Sequence, residues 1–173
     1  DWRIIQGSDA KIYSIGLDPQ TTIMLAGHAA DACCWLDPVS LKWVTTSSYP
    51  DGLPTAADGM NMNGRINELA ERLWTPRLDI SMYTNPNKDE KRRQFNYLPK
   101  DDVLHTPTAN TLVIELALDM QKTEKLGEDI TPDIMLLQLT TISPKANSDI
   151  IESAEQEDMY LGINQDLGFL MEQ

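Results

Sequence analysis

Ile134-Met-Leu-Leu-Gln-Leu139 is the stretch that most restricts what this chain can become: it is apolar at all but one position and follows Pro132-Asp133. A continuous apolar run of this length, bounded by turn residues, is strand-sized and suits a strand covered on both faces of a parallel sheet. The run is therefore expected as a central strand, and such a strand requires helices over it. One is expected upstream, starting at Thr106-Pro107 and stopping at Gly127, with Leu112, Val113, Leu116, Ala117 and Met120 at helical spacing. A second is expected from Ile151 to Met171, with Tyr160, Ile163, Leu167 and Leu170 as its apolar stripe and acids in its first turns.

The first quarter of the chain reads as strands. Lys11-Ile-Tyr-Ser-Ile-Gly16 is rich in β-branched and aromatic residues, and a turn at Asp18-Pro19 leads to a short apolar segment, Thr22 to Ala26, closed by Gly27. Ala32-Cys-Cys-Trp-Leu36 and Lys42-Trp-Val-Thr-Thr46 flank turn residues and predict a hairpin. From Tyr49 to His105 the texture changes: Pro50, Gly52, Pro54, Pro76, Pro86 and Pro99 predict a loop-rich excursion (49–105) lying on the surface, with one helix-like stretch from Ile66 to Trp74. Together these elements predict an α/β fold, and the length of 173 residues suits one domain, 1–173.

Fourteen basic residues against 27 acidic ones give a net charge of −13, which repels a phosphate backbone and argues against nucleic acid as a partner. The acids concentrate from Asp149 to Gln173, and the sign reverses only around Lys88, Lys91, Arg92 and Arg93. No apolar run reaches the ~18 residues of a membrane span. The opening Asp1-Trp2-Arg3 has neither a starting Met nor an apolar leader, so the chain reads as a piece of something longer. Cys33 and Cys34 are neighbours, a poor spacing for a disulfide or a metal knuckle, and read as buried small residues.

Several stretches resemble, in one collinear order, the alkaline phosphatase superfamily in its branch of monoesterases and type I phosphodiesterase/nucleotide pyrophosphatases. They are Ser14-Ile-Gly-Leu17, Leu25-Ala-Gly-His-Ala-Ala-Asp31 with Trp35-Leu-Asp37, and Trp43-Val-Thr-Thr-Ser-Ser-Tyr49 with Leu53-Pro54. Thr106-Pro107 with Asn110-Thr-Leu-Val113, Pro132-Asp133, and Glu155-x-x-Asp158-x-Tyr160-Leu161 with Asp166-Leu167 complete the set. The resemblance implies part of a three-layer sandwich whose nucleophile and first zinc ligands lie before Asp1, with further ligands after Gln173. It also implies export from the cytoplasm.

Two positions where that family carries chemistry are changed. The resemblance places a zinc-binding Asp at Ser143 and a zinc-binding His at Asn147, within Ile142-Ser-Pro-Lys-Ala-Asn147. A hydroxyl and a carboxamide are neutral, weak ligands for zinc. Some monoesterases of the family present Lys-x-Arg after the first strand to neutralise phosphate, where this chain has Asp18-Pro19-Gln20. A carboxylate about 4 Å from a phosphate dianion is unfavourable by about 1 kcal/mol even in bulk water.

The remaining candidates read as structural. His28 and His105 lie far apart, Asp101-Asp102 and Glu157-Asp158 are adjacent acids that do not face each other on a helix, and Trp2, Trp35, Trp43 and Trp74 are scattered. Asp158 and Tyr160 match the family's helix and read as fixing its packing or its first turn. Asp149 and Glu152 read as the start of that helix. Three functional readings follow. The first is a non-catalytic family member that binds or scaffolds, taking no zinc on this chain and associating with the rest of its own domain or with a second copy. The second is part of an active phosphodiesterase or phosphatase whose ligands lie mostly outside this chain. The third is an interaction module that uses residues 49–105 as its contact surface.

Overall fold

The computed structural model describes residues 2–83, 98–141 and 153–172. Its elements are α1 (Trp2–Gln6), β1 (Ile12–Gly16), α2 (Pro19–Ala26), β2 (Ala32–Asp37), β3 (Lys42–Val44), α3 (Thr55–Met62), α4 (Arg65–Ala70), α5 (Pro107–Thr123), β4 (Ile134–Leu137) and α6 (Ala154–Met171). Short 3-10 turns at Ile80–Met82, Pro99–Asp101 and Val103–His105 lie between α4 and α5. The chain divides into two compact units. Unit one comprises Asp1–Ile66 with Val113–Leu139, and unit two comprises Asn67–Leu112 with Thr140–Gln173.

Unit one is built on a four-stranded sheet in the order β3-β2-β1-β4. β1 is parallel to β2 and to β4, and β2 is antiparallel to β3, with Leu36 opposite Trp43. Every residue of β1 is buried, and Ile15, Cys33, Cys34 and Leu36 are fully enclosed. Two carboxylates brace the amino end of β1: the Lys11 N–H donates to Asp133 at 2.8 Å and the Ile12 N–H to Asp31 at 2.8 Å. The other Asp133 oxygen accepts from the Gly127 N–H at 2.9 Å, and Asp31 is also paired with Arg3. At the β3 edge the Asn61 carboxamide imitates a strand, accepting from the Trp43 N–H at 2.7 Å and donating to the Trp43 carbonyl at 2.8 Å. The buried Trp43 indole packs there, its N–H 3.1 Å from the Met60 sulfur. Arg65 and Glu115 form a two-pronged ion pair with bonds of 2.9 and 2.6 Å.

The expected hairpin is present as β2–β3, and the apolar run forms β4, but two details differ. β4 lies at the end of the strand order and its residues are only half-buried; the central, fully buried strand is β1. Among the described residues β4 has a partner strand on one side only, so its apolar character is not matched by complete cover. The segment Thr22 to Ala26 is not loose: it is part of α2, capped at the front by Asp18 and closed by Gly27 at φ +66°. That left-handed conformation suits glycine.

The stretch 49–105 contains more helix and more buried surface than its prolines suggested. Pro54 lies just before α3, where its fixed φ (−56° here) suits a helix start. Ala56, Ala57, Met60, Ile66, Leu69, Ala70, Trp74, Tyr83 and Val103 are all buried. Among the described prolines of this stretch, Pro54 and Pro99 stand at the starts of helical turns. Lys88, Lys91, Arg92 and Arg93 fall outside the described residues.

α5 is buried on nearly every side, with Leu112, Val113, Ile114, Leu116, Ala117, Leu118 and Met120 enclosed, which is why its apolar positions exceed a single stripe. α6 starts at Ser153, whose hydroxyl accepts from the Gln156 N–H at 3.1 Å. Its orientation reverses the expectation. Tyr160 is 56% exposed and Leu167 39% exposed, whereas Glu155, Asp158, Met159 and Gly162 are buried. The physical reason is Asp158, whose four donors are described below. No helix among the described residues is long and apolar enough to cross a membrane.

Candidate functional site

β1, β2 and β4 run parallel, so their carboxyl ends lie at one edge of the sheet, the edge where open α/β sheets take ligands. β1 ends there at Gly16, followed by Leu17-Asp18 and α2. β4 ends there at Leu137, followed by Gln138. A side chain on Gly16 has no room: a Cβ would lie 2.0 Å from the Thr22 hydroxyl and 2.6 Å from the Gln138 side-chain oxygen. That oxygen accepts from the Leu17 N–H at 3.0 Å, the Asp18 N–H at 3.0 Å and the Thr22 hydroxyl at 3.2 Å. Two successive backbone N–H groups converging on one oxygen form a nest of the kind that receives anions. Here the chain's own carboxamide fills it.

The Thr21 N–H in the first turn of α2 is also taken. Asp18 is the N-cap, and its carboxylate accepts from the Thr21 N–H at 2.7 Å. Those bonds from Thr21 hold the Asp18 carboxyl below its usual range, so it is anionic at neutral pH. Gln20 is exposed in the first turn of α2. The helix start that follows β1 thus presents a fixed negative charge and a neutral amide.

Ser143 and Asn147 lie outside the described residues, as do Asp149 and Glu152. The chain leading toward them is held in unit two. Thr140 donates its N–H to the Asn110 side chain at 2.8 Å and accepts from the same carboxamide at 2.8 Å, and Asn110 is fully buried. Gln156 of α6 donates to the Thr141 carbonyl.

The other candidates do not assemble into a site. His28 is exposed in unit one, and His105 in unit two faces Asp102 at 2.6 Å across one short turn. Cys33 and Cys34 are free and buried, and burial pushes both thiols up, which leaves them poor nucleophiles and ligands. Among the described residues no three His, Cys, Asp or Glu side chains come together as a metal site.

Sequence reasoning missed Gln138 and Asn110 and underrated Asp158. Asp158 is fully buried and accepts from the Trp74 indole at 2.7 Å, the Tyr83 hydroxyl at 2.5 Å, the Arg77 N–H at 2.9 Å and the Arg77 guanidinium at 2.7 Å. Burial, together with the bond to Asp158, pushes the Tyr83 phenol up to about 12. The guanidinium lies against Gly162, where a Cβ would come within 3.0 Å of it. A glycine two turns into an amphipathic helix was the available signal.

No protein-family model matches the chain. Three relatives do. A protein named alkaline phosphatase PafA from Elizabethkingia meningoseptica is 26% identical over 176 residues, covering 91% of this chain and 32% of that protein. Alkaline phosphatase PhoV from Synechococcus elongatus is 24% identical, covering 95% of this chain and 33% of its own length. A Myroides odoratus protein named calcium-transporting ATPase is 25% identical, covering 95% and 34%. The crystal structure of wild-type alkaline phosphatase PafA superposes on 99% of this chain with a TM-score of 0.82 at 23% identity. Over nearly all of its length the chain is similar to alkaline phosphatases, and it shares the α/β fold of PafA.

The chain spans about a third of the length of the relatives it matches. A multiply substituted form of PafA superposes equally well, again with a TM-score of 0.82 over 99% of the chain. The likeness carries the α/β architecture expected from the apolar run at 134–139. Activity is a separate matter.

Proposed function

We propose that this chain is an alkaline-phosphatase-like segment that does not itself hydrolyse phosphate esters and serves instead in binding or scaffolding. The observation that carries the reading is the helix start after β1. There the Asp18 carboxylate caps α2 and the Gln138 carboxamide occupies the Leu17–Asp18 nest, where the resembled monoesterases place Lys-x-Arg. A phosphate at this edge meets a negative charge and no free pair of N–H groups. Ser143 and Asn147 support the same reading from the sequence, since neither supplies an anionic or imidazole ligand. Residues 1–173 belong in this view to one domain, with 49–105 as an insertion in it. The rest of that domain, or a second copy, covers the half-buried β4. Within the superfamily the reading places the chain in the branch of monoesterases and type I phosphodiesterase/nucleotide pyrophosphatases, and the protein is exported.

A second reading is favoured by the relatives named alkaline phosphatase: the chain is part of an active phosphoric ester hydrolase whose ligands come mostly from outside these residues. One experiment separates the two. Zinc per polypeptide is measured by elemental analysis on the full-length protein, alongside hydrolysis of p-nitrophenyl phosphate and bis(p-nitrophenyl) phosphate. The non-catalytic reading requires substoichiometric zinc and no turnover above buffer. Near-stoichiometric zinc with hydrolysis of either ester overturns it.

A further inference from the structure

Unit two contains a cavity of about 260 Å³ lined by Leu69, Arg72, Leu73, Trp74, Thr75, Arg77, Pro107, Thr108 and Thr111. Its composition runs against that of its surroundings. Of the described residues in this unit only Arg72, Arg77 and Lys100 are basic, and two of the three line this one cavity, whose lining includes no carboxylate although each arginine is paired with one outside it. The chain as a whole carries a net charge of −13, so a wall without acids is a local exception.

The two arginines differ in kind. Arg77 is held rigid: its Nη1 bonds Asp158 at 2.7 Å, its Nε bonds Gln165 at 2.9 Å, and its flat guanidinium lies on Gly162. A planar donor group fixed in this way loses little freedom on meeting a ligand. Arg72 is exposed, and its pairing with Glu68 is a surface contact of the weak i,i+4 type, which a ligand can displace. Leu69, Leu73, Trp74 and Pro107 supply apolar wall, and Thr75, Thr108 and Thr111 supply hydroxyls. Apolar cover with a few convergent polar groups is the usual make-up of a small-molecule site.

We propose that this cavity binds a small organic oxyanion, a carboxylate or phosphate ester on an apolar body, with Arg72 and Arg77 meeting the anion. The proposal is independent of whether the protein hydrolyses esters, because the cavity lies wholly in unit two and uses neither Asp18 nor Gln138.

The test is titration of the full-length protein with phenyl phosphate, benzoate and the neutral analogue benzyl alcohol. Heteronuclear NMR follows the Trp74 indole N–H and the Thr108 and Thr111 amides. Both anions should produce saturable shifts at these probes, and benzyl alcohol should bind at least about tenfold more weakly, as loss of a charge-assisted bond implies. The stronger of the two anions identifies phosphate or carboxylate as the preferred head group. Arg77 is part of the Asp158 cluster, so the deciding variant is Arg72→Ala, at a side chain 64% exposed. It should weaken anion binding about tenfold while leaving the thermal midpoint unchanged. Equal binding of benzyl alcohol and benzoate, unaltered affinity in Arg72→Ala, or no saturable shift at tens of millimolar overturns the proposal.

Discussion

The side-chain oxygen of Gln138 accepts the backbone N–H of Asp18 at 3.0 Å, joining the end of β4 to the start of α2 across 120 positions of sequence. The same oxygen takes the Leu17 N–H, so one carboxamide satisfies two donors that the chain would otherwise leave unpaired in a partly buried place. Gln138→Ala should therefore destabilise the protein by about 1–3 kcal/mol, the cost of leaving buried donors unsatisfied. Urea denaturation monitored by circular dichroism reads this as a lower midpoint. An unchanged midpoint means that solvent already serves those N–H groups.

Asp158 is the hub of unit two, and its charge is what Arg77 answers. Asp158→Asn keeps the volume and removes the charge, leaving a largely buried guanidinium without its counter-ion. A loss of about 3–5 kcal/mol is expected for breaking such a pair. The Trp74 indole N–H resonance should move at the same time, since it donates to the same carboxylate. Wild-type stability with an unmoved indole resonance would contradict the cluster.

Tyr83 connects that cluster to pH. Its phenol is raised from 10.0 to about 12 in the folded state, first by burial and then by its bond to Asp158. A raised folded value means that the unfolded chain loses this proton first. The associated stability is whole below pH 10 and is lost as pH climbs through 10 to 12, by up to about 1.4 kcal/mol per pH unit for one such group. Tyr13 and Tyr49 are shifted in the same direction and add to the alkaline loss. Thermal melts from pH 9 to 12 should fall more steeply in the wild type than in Tyr83→Phe, measured against each protein's own value at pH 9. Parallel profiles would sink the assignment.

The reversed face of α6 is testable with neighbours. Met159 is fully buried and Tyr160 is 56% exposed. Met159→Ala should cost about 2–5 kcal/mol, as buried truncations do, and Tyr160→Ala should stay within about 0.5 kcal/mol. The opposite ranking would restore the apolar stripe of Tyr160, Ile163, Leu167 and Leu170 as the packed face.

Local pattern determined much of this protein. The apolar run at 134–139, the β-branched and aromatic residues at 11–16 and the turn residues between Leu36 and Lys42 were enough to read an α/β sheet with a hairpin. Those signals depend on residues adjacent in sequence, and strand formation follows from them wherever the strand is placed. The ordered motifs were enough to point to the likeness with alkaline phosphatases.

Three-dimensional packing decided the rest. Which face of α6 turns inward depended on whether Asp158 could collect four donors from residues 74–83, and hydrophobic periodicity has no term for a carboxylate that is fully satisfied when buried. The role of Gln138 was equally hidden, because a lone amide after an apolar run looks like a strand end until β1 and β4 pair in register and bring it to Leu17 and Asp18. The sequence by itself determined the main strands and the two long helices. Only the tertiary structure decided which polar groups meet, since a hydrogen bond between residues more than a hundred positions apart exists only once the chain between them has folded.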